Sequence, residues 1–262
     1  MLPAEYRGVS VVADLHGIVG FLDEYLRINE FPDKSRNGLQ VEGKGEVERI
    51  AFAVDACMET FERALKGNAD MLIVHHGIIW GGIEYVRGLV QRRLKFLLND
   101  ELNLYAAHIP LDAHPEVGNN AQLLKLLELD PREPFGEYNG TYVGFMGEFE
   151  KPKPVSLIAQ KLAEGLDTNV RSFEFGGEEV KSIAVMSGLG SSSIYEAVEK
   201  GVDLFITGEF LHQDFHVAKE GGINVIAAGH YATETLGVRA LMEIVKGKFD
   251  VEVFFIDAPT GL

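Results

Sequence analysis

Apolar side chains at Leu15, Ile18, Val19, Leu22, Tyr25 and Leu26 recur with the spacing of one helix face, which predicts an amphipathic helix over 14–28. The pattern breaks in a stretch of turn formers, 31–38, and resumes as the continuous apolar run 50–54, a buried strand. A helix over 57–66 follows, with Met58, Phe61, Ala64 and Leu65 on one face, then a strand over 69–74, a helix over 90–98 and a strand over 102–107. Strands alternating with helices at these distances predict an α/β chain built on mostly parallel sheets.

The second half starts differently. A strand over 141–149 and a helix over 155–165 precede a hairpin in which 169–175 and 181–186 pair across a Gly176-Gly177 turn. Then come a helix over 193–200, strands over 203–207 and 223–228, a helix over 231–245 and a last strand over 251–256. The junction falls in the stretch 128–134, where two prolines sit among charges. The chain therefore divides into a first lobe over 1–128 and a second over 129–262, with the final strand packing on the first. An internal repeat relates the two: when 50–70 is laid on 183–203, His75-His76 overlies Gly208-Glu209. With a shorter offset, His108 and Asp112 overlie His230 and Glu234. Two related lobes facing each other across a cleft are the expected architecture.

Composition narrows the functional classes. The 24 basic against 40 acidic side chains give a net charge of −16, which repels phosphate backbones and anionic lipid and argues against nucleic-acid or membrane partners. Cys57 is the single cysteine, which excludes an intrachain disulfide and a cysteine-based zinc site and fits a reducing cytoplasm. The first residues have neither the basic nor the apolar region of a signal peptide, and no apolar run reaches membrane-spanning length.

The candidate chemistry lies at the ends of the apolar runs. His75 and His76 follow the strand over 69–74, and His108-Ile-Pro-Leu-Asp112 follows Ala107. His230-Tyr-Ala-Thr-Glu234 follows Gly229. Ligands of open parallel sheets sit at the carboxyl ends of strands, and imidazole with carboxylate suits Zn, Fe, Mn or Co. A lone histidine there is more often a hydrogen-bonded strand terminus, but four histidines and two carboxylates at strand tips point to a two-metal site. His75 and His76 converge only if the strand ends there, which Gly77 permits. Pro110 keeps 109–111 from being helical throughout, so His108 and Asp112 are expected to straddle a tight turn. His16 and His114 read as structural, whereas His212, spaced i, i+4 from His216, is placed in the cleft. The loop from Gly188 to Ser193 is similar to a phosphate-cradling turn, without the Walker lysine, and reads equally as a loop ending in a helix cap. Gly188, Ser191 and Glu209 are accordingly candidate substrate-binding residues.

Several of these segments form a joint pattern. Asn37-Gly-Leu-Gln-Val41, His75-His-Gly-x-x-Trp80, His108-x-Pro-Leu-Asp112, Asn119-Asn120, Thr207-Gly-Glu209 and Gly229-His-Tyr-x-Thr-Glu234 occur in that order. Together they resemble the NGG-interacting-factor-like family, also called GTP cyclohydrolase type 2 homologues or dinuclear metal center hexameric proteins. The resemblance implies two α/β lobes around two divalent metal ions per chain and assembly into a toroidal homohexamer. It implies His75, His76, Asp112, His230 and Glu234 as ligands, the carboxylates bridging and each of the paired histidines going to a different metal. It implies that His108 stands close behind them or carries protons, and in a hydrolase His108 or His212 would be the catalytic proton shuttle. Longer relatives carry an inserted domain between the halves, for which this chain is too short.

Two functional classes follow. One is a metal-dependent hydrolase, of cyclohydrolase or phosphatase type, that uses a metal-bridging hydroxide on a small anionic or nucleotide substrate such as GTP. The other is a non-catalytic metal-binding scaffold or interaction protein that forms a ring.

Overall fold

The computed structural model describes residues 12–262. A short strand β1 (Ala13–Asp14) enters helix α1 (Leu15–Tyr25), whose first turn is capped by the Asp14 carboxylate accepting from the Gly17 amide at 2.8 Å. The stripe Leu15, Ile18 and Leu22 is buried, as its spacing predicts. The first half continues through β2 (Gly38–Val41), β3 (Glu46–Val47), β4 (Arg49–Asp55), α2 (Met58–Lys66), β5 (Met71–His76), α3 (Gly88–Asn99), β6 (Asn103–Ala106), α4 (Ile109–Asp112) and α5 (Asn119–Leu126). The second half comprises β7 (Glu133–Tyr138), β8 (Thr141–Pro154), α6 (Val155–Leu166), β9 (Arg171–Phe173), β10 (Glu179–Met186), α7 (Ile194–Lys200), β11 (Leu204–Thr207), α8 (Phe215–Gly221), β12 (Asn224–Ala227), α9 (His230–Phe249) and β13 (Glu252–Phe255).

The fold is α/β with two main sheets. The first has the order β13-β4-β5-β6-β2, parallel except for the edge strand β2. The second has the order β7-β8-β10-β11-β12-β9, in which β10, β11 and β12 are parallel and the outer strands antiparallel. Parallel strands thus dominate the first sheet and form only the centre of the second, because the β7–β8 hairpin adds antiparallel partners that need no crossover.

The repeat is visible in the registers. Ile50 stands opposite Met71 as Ile183 stands opposite Leu204, and Gly38 opposite Ala106 as Arg171 opposite Ala227. The anchoring side chains repeat too. Asp70 accepts the Glu48 and Arg49 amides at 3.0 and 3.3 Å, and Asp203 accepts those of Lys181 and Ser182 at 2.9 and 2.8 Å. Asn103 accepts the Gly43 amide at 2.7 Å and donates to the Lys44 carbonyl at 2.8 Å; Asn224 does the same to Gly176 and Gly177 at 2.9 and 2.8 Å. Both asparagines are fully buried. Asn224→Ala removes these bonds at backbone groups that water can reach, so it is expected to cost about 0.5–1.5 kcal/mol for each bond lost, read as a lowered urea midpoint, and Asn103→Ala to match it.

This anchoring corrects the expected hairpin. Gly176 and Gly177 do not turn one strand onto the next; Asn224 ties them to the start of β12, so β9 pairs with β12 and β10 with β8. The sequence reading also passes over β1, β2, β3, β7, α4, α5 and α8. In α4 the proline sits in the first turn, where its missing N–H is no loss, so 109–112 is helical after all.

The halves exchange helices. Leu123 and Leu124 of α5 enter the core of the second sheet beside Ile158, Leu162 and Ile183. Val238, Leu241 and Val245 of α9 enter that of the first beside Ile50, Phe52 and Tyr105. The helix α9 starts at the tip of β12 and ends beside β13, which pairs with β4. Its first turn is thereby held over the carboxyl ends of β5 and β6.

Candidate metal centre

Four imidazoles meet where the strand tips of the first sheet face the first turn of α9. The His75 ring lies 4.6 Å from His76 and 5.0 Å from His108, and His76 lies 5.6 Å from His230, centroid to centroid. Each ring has its Nδ1 tied to an acceptor. His75 donates to the Ala107 carbonyl at 2.9 Å, His76 to Asp55 at 2.8 Å and His108 to Asp33 at 3.0 Å; His230 pairs with Glu209. That anchoring sets one tautomer, with the proton on Nδ1 and the lone pair on Nε2.

The Nε2 atoms of His75, His76 and His230 converge on two buried carboxylates. Glu234 lies 3.3 Å from Nε2 of His76 and of His230 and 3.5 Å from that of His75. Asp112 Oδ2 is also 3.5 Å from His75 Nε2, while its Oδ1 accepts from the Asn119 amide at 2.8 Å and the Ser187 hydroxyl at 3.1 Å. His75 Nε2 and Glu234 Oε2 are fully buried and make no hydrogen bond. Two such groups side by side suit a shared cation better than they suit each other. His75, His76 and His108 form one group with ligand atoms within 4.8 Å of one another, and His76, His230 and Glu234 form another. The donor set of imidazole and carboxylate fits Zn, Fe, Mn or Co.

The electrostatics agree. Burial alone would lower the His75 imidazole, but the charges of Asp112 and Glu234 outweigh it and lift it to about 10. Hydrogen bonding to Glu234 lifts His230 to about 9. Burial would raise Glu234, yet His75, His230 and His76 hold it well below the usual carboxylate range. Asp33, despite its burial, is held down in the same way by His108. The nest favours positive charge, supplied by protons or by a cation that displaces them.

The structure brings together six of the residues singled out above, namely His75, His76, His108, Asp112, His230 and Glu234. Gly77 serves differently from the expectation: a side chain there would meet Gln40, whose Oε1 accepts the Ile78 and Ile79 amides at 2.8 and 3.2 Å, so the glycine provides space. His212 lies elsewhere, exposed beside Arg171, Phe173, Phe210 and Phe215 in a separate small cavity. Ser191 is fully buried and donates to Asp214 at 2.5 Å, so its hydroxyl is not offered to the cleft. Gly188 borders the site, but its amide donates to Thr233 Oγ1 at 3.0 Å and its carbonyl accepts the Glu209 amide at 2.9 Å. The Gly188 amide is therefore not free to hold a ligand. Glu209 lines the cleft as the partner of His230.

Sequence reasoning missed Asp33, Asp55, Asn119 and Ser187 as supporting groups. Asp55 had a readable signal, an acidic residue ending an apolar run beside His76 in register. Asp33, in a loop, had none.

Gly188 sits at φ +58°, and a Cβ there would lie 2.1 Å from Glu234 Oε1. Gly188→Ala is therefore expected to cost about 1–2 kcal/mol from the backbone alone and to shift the Glu234 carboxylate. Urea unfolding and a zinc titration read the two effects separately.

Known proteins share this layout. The family profile of Duf34/NIF3 (NGG1p interacting factor 3) matches residues 13–261. A protein named GTP cyclohydrolase 1 type 2 homolog from Pyrococcus abyssi is 65% identical over 246 residues, which cover 94% of this chain and 98% of that one. A protein of the same name from Pyrococcus horikoshii is 64% identical over 250 residues, covering 95% of this chain and 100% of the relative. The crystal structure of TTHA1606 from Thermus thermophilus superposes with a TM-score of 0.86 at 41% identity, covering 95% of this chain and 100% of that one. The chain thus belongs to the Duf34/NIF3 (NGG1p interacting factor 3) family.

Proposed function

We propose that the protein holds two divalent cations per chain and acts as a metal-dependent hydrolase. The observation that carries this reading is the convergence of three Nδ1-anchored imidazoles, His75, His76 and His230, through Nε2 on two buried carboxylates, with the anchored His108 grouped beside His75 and His76. His76, His230 and Glu234 would hold one cation and His75, His108 and Asp112 the other. Such a pair supplies Lewis acidity and a water-derived nucleophile near neutral pH.

The chain's own residues do the rest. Asp33, Asp55 and Glu209 keep protons on the Nδ1 atoms of His108, His76 and His230 and so hold the ring planes. Asn119 and Ser187 fix Asp112. One side of the site opens into a cavity of about 600 Å³ that reaches solvent past Trp80 and Leu189, which gives a substrate access. The name carried by the Pyrococcus relatives makes cyclohydrolase-type ring opening of GTP one reaction to assay, beside ester and phosphoester cleavage.

The ligands also come from both halves of the chain, which favours a second reading, a metal-stapled scaffold. The homohexamer implied by resemblance belongs to either reading and is measured by analytical ultracentrifugation. Among the described residues no helix is long and apolar enough to cross a membrane. The free thiol of Cys57 accords with a reducing, cytoplasmic site of action.

The test is elemental analysis of protein purified without chelator, followed by a hydrolase screen before and after stripping and reloading. The hydrolase reading expects two ions per chain and an activity that disappears and returns with metal. Full metal with every substrate untouched leaves the scaffold.

A further inference from the structure

We infer that the cleft takes a flat aromatic or heteroaromatic molecule, carrying at most one negative charge, that presents oxygen donors to the metals, and that it is not built for a nucleoside triphosphate. The inference rests on the metal-dependent reading above and specifies the substrate class of that same site.

The cavity beside the cluster, of about 600 Å³, is lined by Trp80 from the first half and by Tyr138, Val143, Met186 and Leu189 from the second. Trp80 is 44% exposed and Leu189 57%, a large exposure for apolar side chains at a site mouth. The indole N–H of Trp80 already donates to the Gly77 carbonyl at 3.0 Å, so its ring has no polar task left. That ring stands edge-on to His108 at 5.0 Å, which places an aromatic surface beside the ligand nitrogens.

Charge points the same way. Among the described residues no lysine or arginine lines this cavity. Asp33, Asp55, Asp112, Glu209 and Glu234 surround the imidazoles, and five carboxylates outweigh two divalent cations. Phosphate chains are held by arginine, lysine or free amides at glycine loops, and in the loop 188–193 the Gly188 amide, the one that borders Glu234, is bonded to Thr233. A triphosphate would bring several negative charges into a site that has only the metals to meet them. A flat ring with oxygen donors and at most one negative charge meets the metals and the apolar wall together.

The test uses zinc-loaded protein and three probes: benzohydroxamic acid, acetohydroxamic acid and inorganic tripolyphosphate. Affinities come from calorimetry, and zinc content is measured again after each titration. Trp80 is the single tryptophan, so its emission reports the cleft directly. Benzohydroxamate is expected to bind at least about tenfold tighter than acetohydroxamate and to shift Trp80 emission, with tripolyphosphate no tighter than acetohydroxamate. Trp80→Ala and, separately, Leu189→Ala should cut the benefit of the ring to less than about threefold while zinc content stays unchanged. Tripolyphosphate binding tighter than benzohydroxamate overturns the inference. So does equal binding of the two hydroxamates, or zinc-loaded protein that binds no probe. Protein that takes up no zinc overturns the parent reading and this one with it.

Discussion

Glu234→Gln is expected to lower metal affinity at least about a hundredfold, which is about 2.7 kcal/mol, and to leave less than the full complement of metal after dialysis. Glutamine keeps the shape of the side chain and removes its charge. Glu234 is the one group that three imidazole nitrogens approach within 3.5 Å, and it is almost fully buried. A neutral amide oxygen there gives weaker coordination, and the amide nitrogen turns a donor towards a cation. Glu209→Gln supplies the control. It loosens only the Nδ1 anchor of His230, so its effect should stay within the tenfold to hundredfold range of about 1–3 kcal/mol typical of such supporting groups. Inductively coupled plasma measurement on both variants decides the matter. Wild-type metal content and affinity in Glu234→Gln would remove Glu234 from the ligand set.

The second large effect is a pH dependence that differs between metal-free and metal-loaded protein. In the metal-free chain His230 titrates at about 9, above its ordinary value of 6.5. A group raised in this way contributes stability that is fully present below pH 6.5 and is lost as pH rises through about 9. His75, raised to about 10, extends the loss further into the alkaline range. Glu234 is depressed, so its contribution is present above its ordinary value of 4.5 and is lost progressively as pH falls below it. The metal-free protein should therefore lose stability on the order of 2 kcal/mol between about pH 6.5 and pH 9 from His230, its partly exposed ring allowed for. A bound cation takes the place of those protons, and its affinity rises as they leave. The gap in melting temperature between zinc-loaded and chelator-treated protein should widen steadily across that window. A gap that narrows, or stays level, contradicts the assignment of these imidazoles as ligands.

Much of this site is legible in the amino-acid sequence, and for a local reason. His75, His76, His108 and His230 each stand at or just beyond the end of an apolar run, and such runs are strands whose carboxyl ends carry function. Asp112 and Glu234 are legible through their fixed spacing from a histidine. Asp33 is not, because its loop contacts His108 and the Ile109 amide only after β2 pairs with β6. The asparagines of α5 escape notice as supporting groups because Asn119 and Asn120 look like a polar surface, yet both are buried, one on Asp112 and the other on the Val143 carbonyl. His212 is misplaced by its spacing because a helical period reports a shared face without reporting which way the face points. Its turn follows Leu211, whose amide is bonded to Ser191, and His212 lines a cavity other than the one beside the imidazoles. The hairpin across Gly176-Gly177 is misread because a glycine pair marks a turn without naming the strand that follows it.

What the chain by itself determined is the alternation of strands and helices, the internal repeat, the family and the residue types gathered at the strand tips. These are local or periodic properties, written in side-chain spacing over a few residues. What only the tertiary structure decided is which carboxylate backs which imidazole, the antiparallel additions to the second sheet, and the crossing of α9 onto the first sheet that delivers His230 and Glu234 to His75 and His76. Those outcomes depend on contacts between segments far apart in sequence, where burying apolar faces such as Val238, Leu241 and Val245 selects the partner, and no spacing rule along the chain encodes that choice.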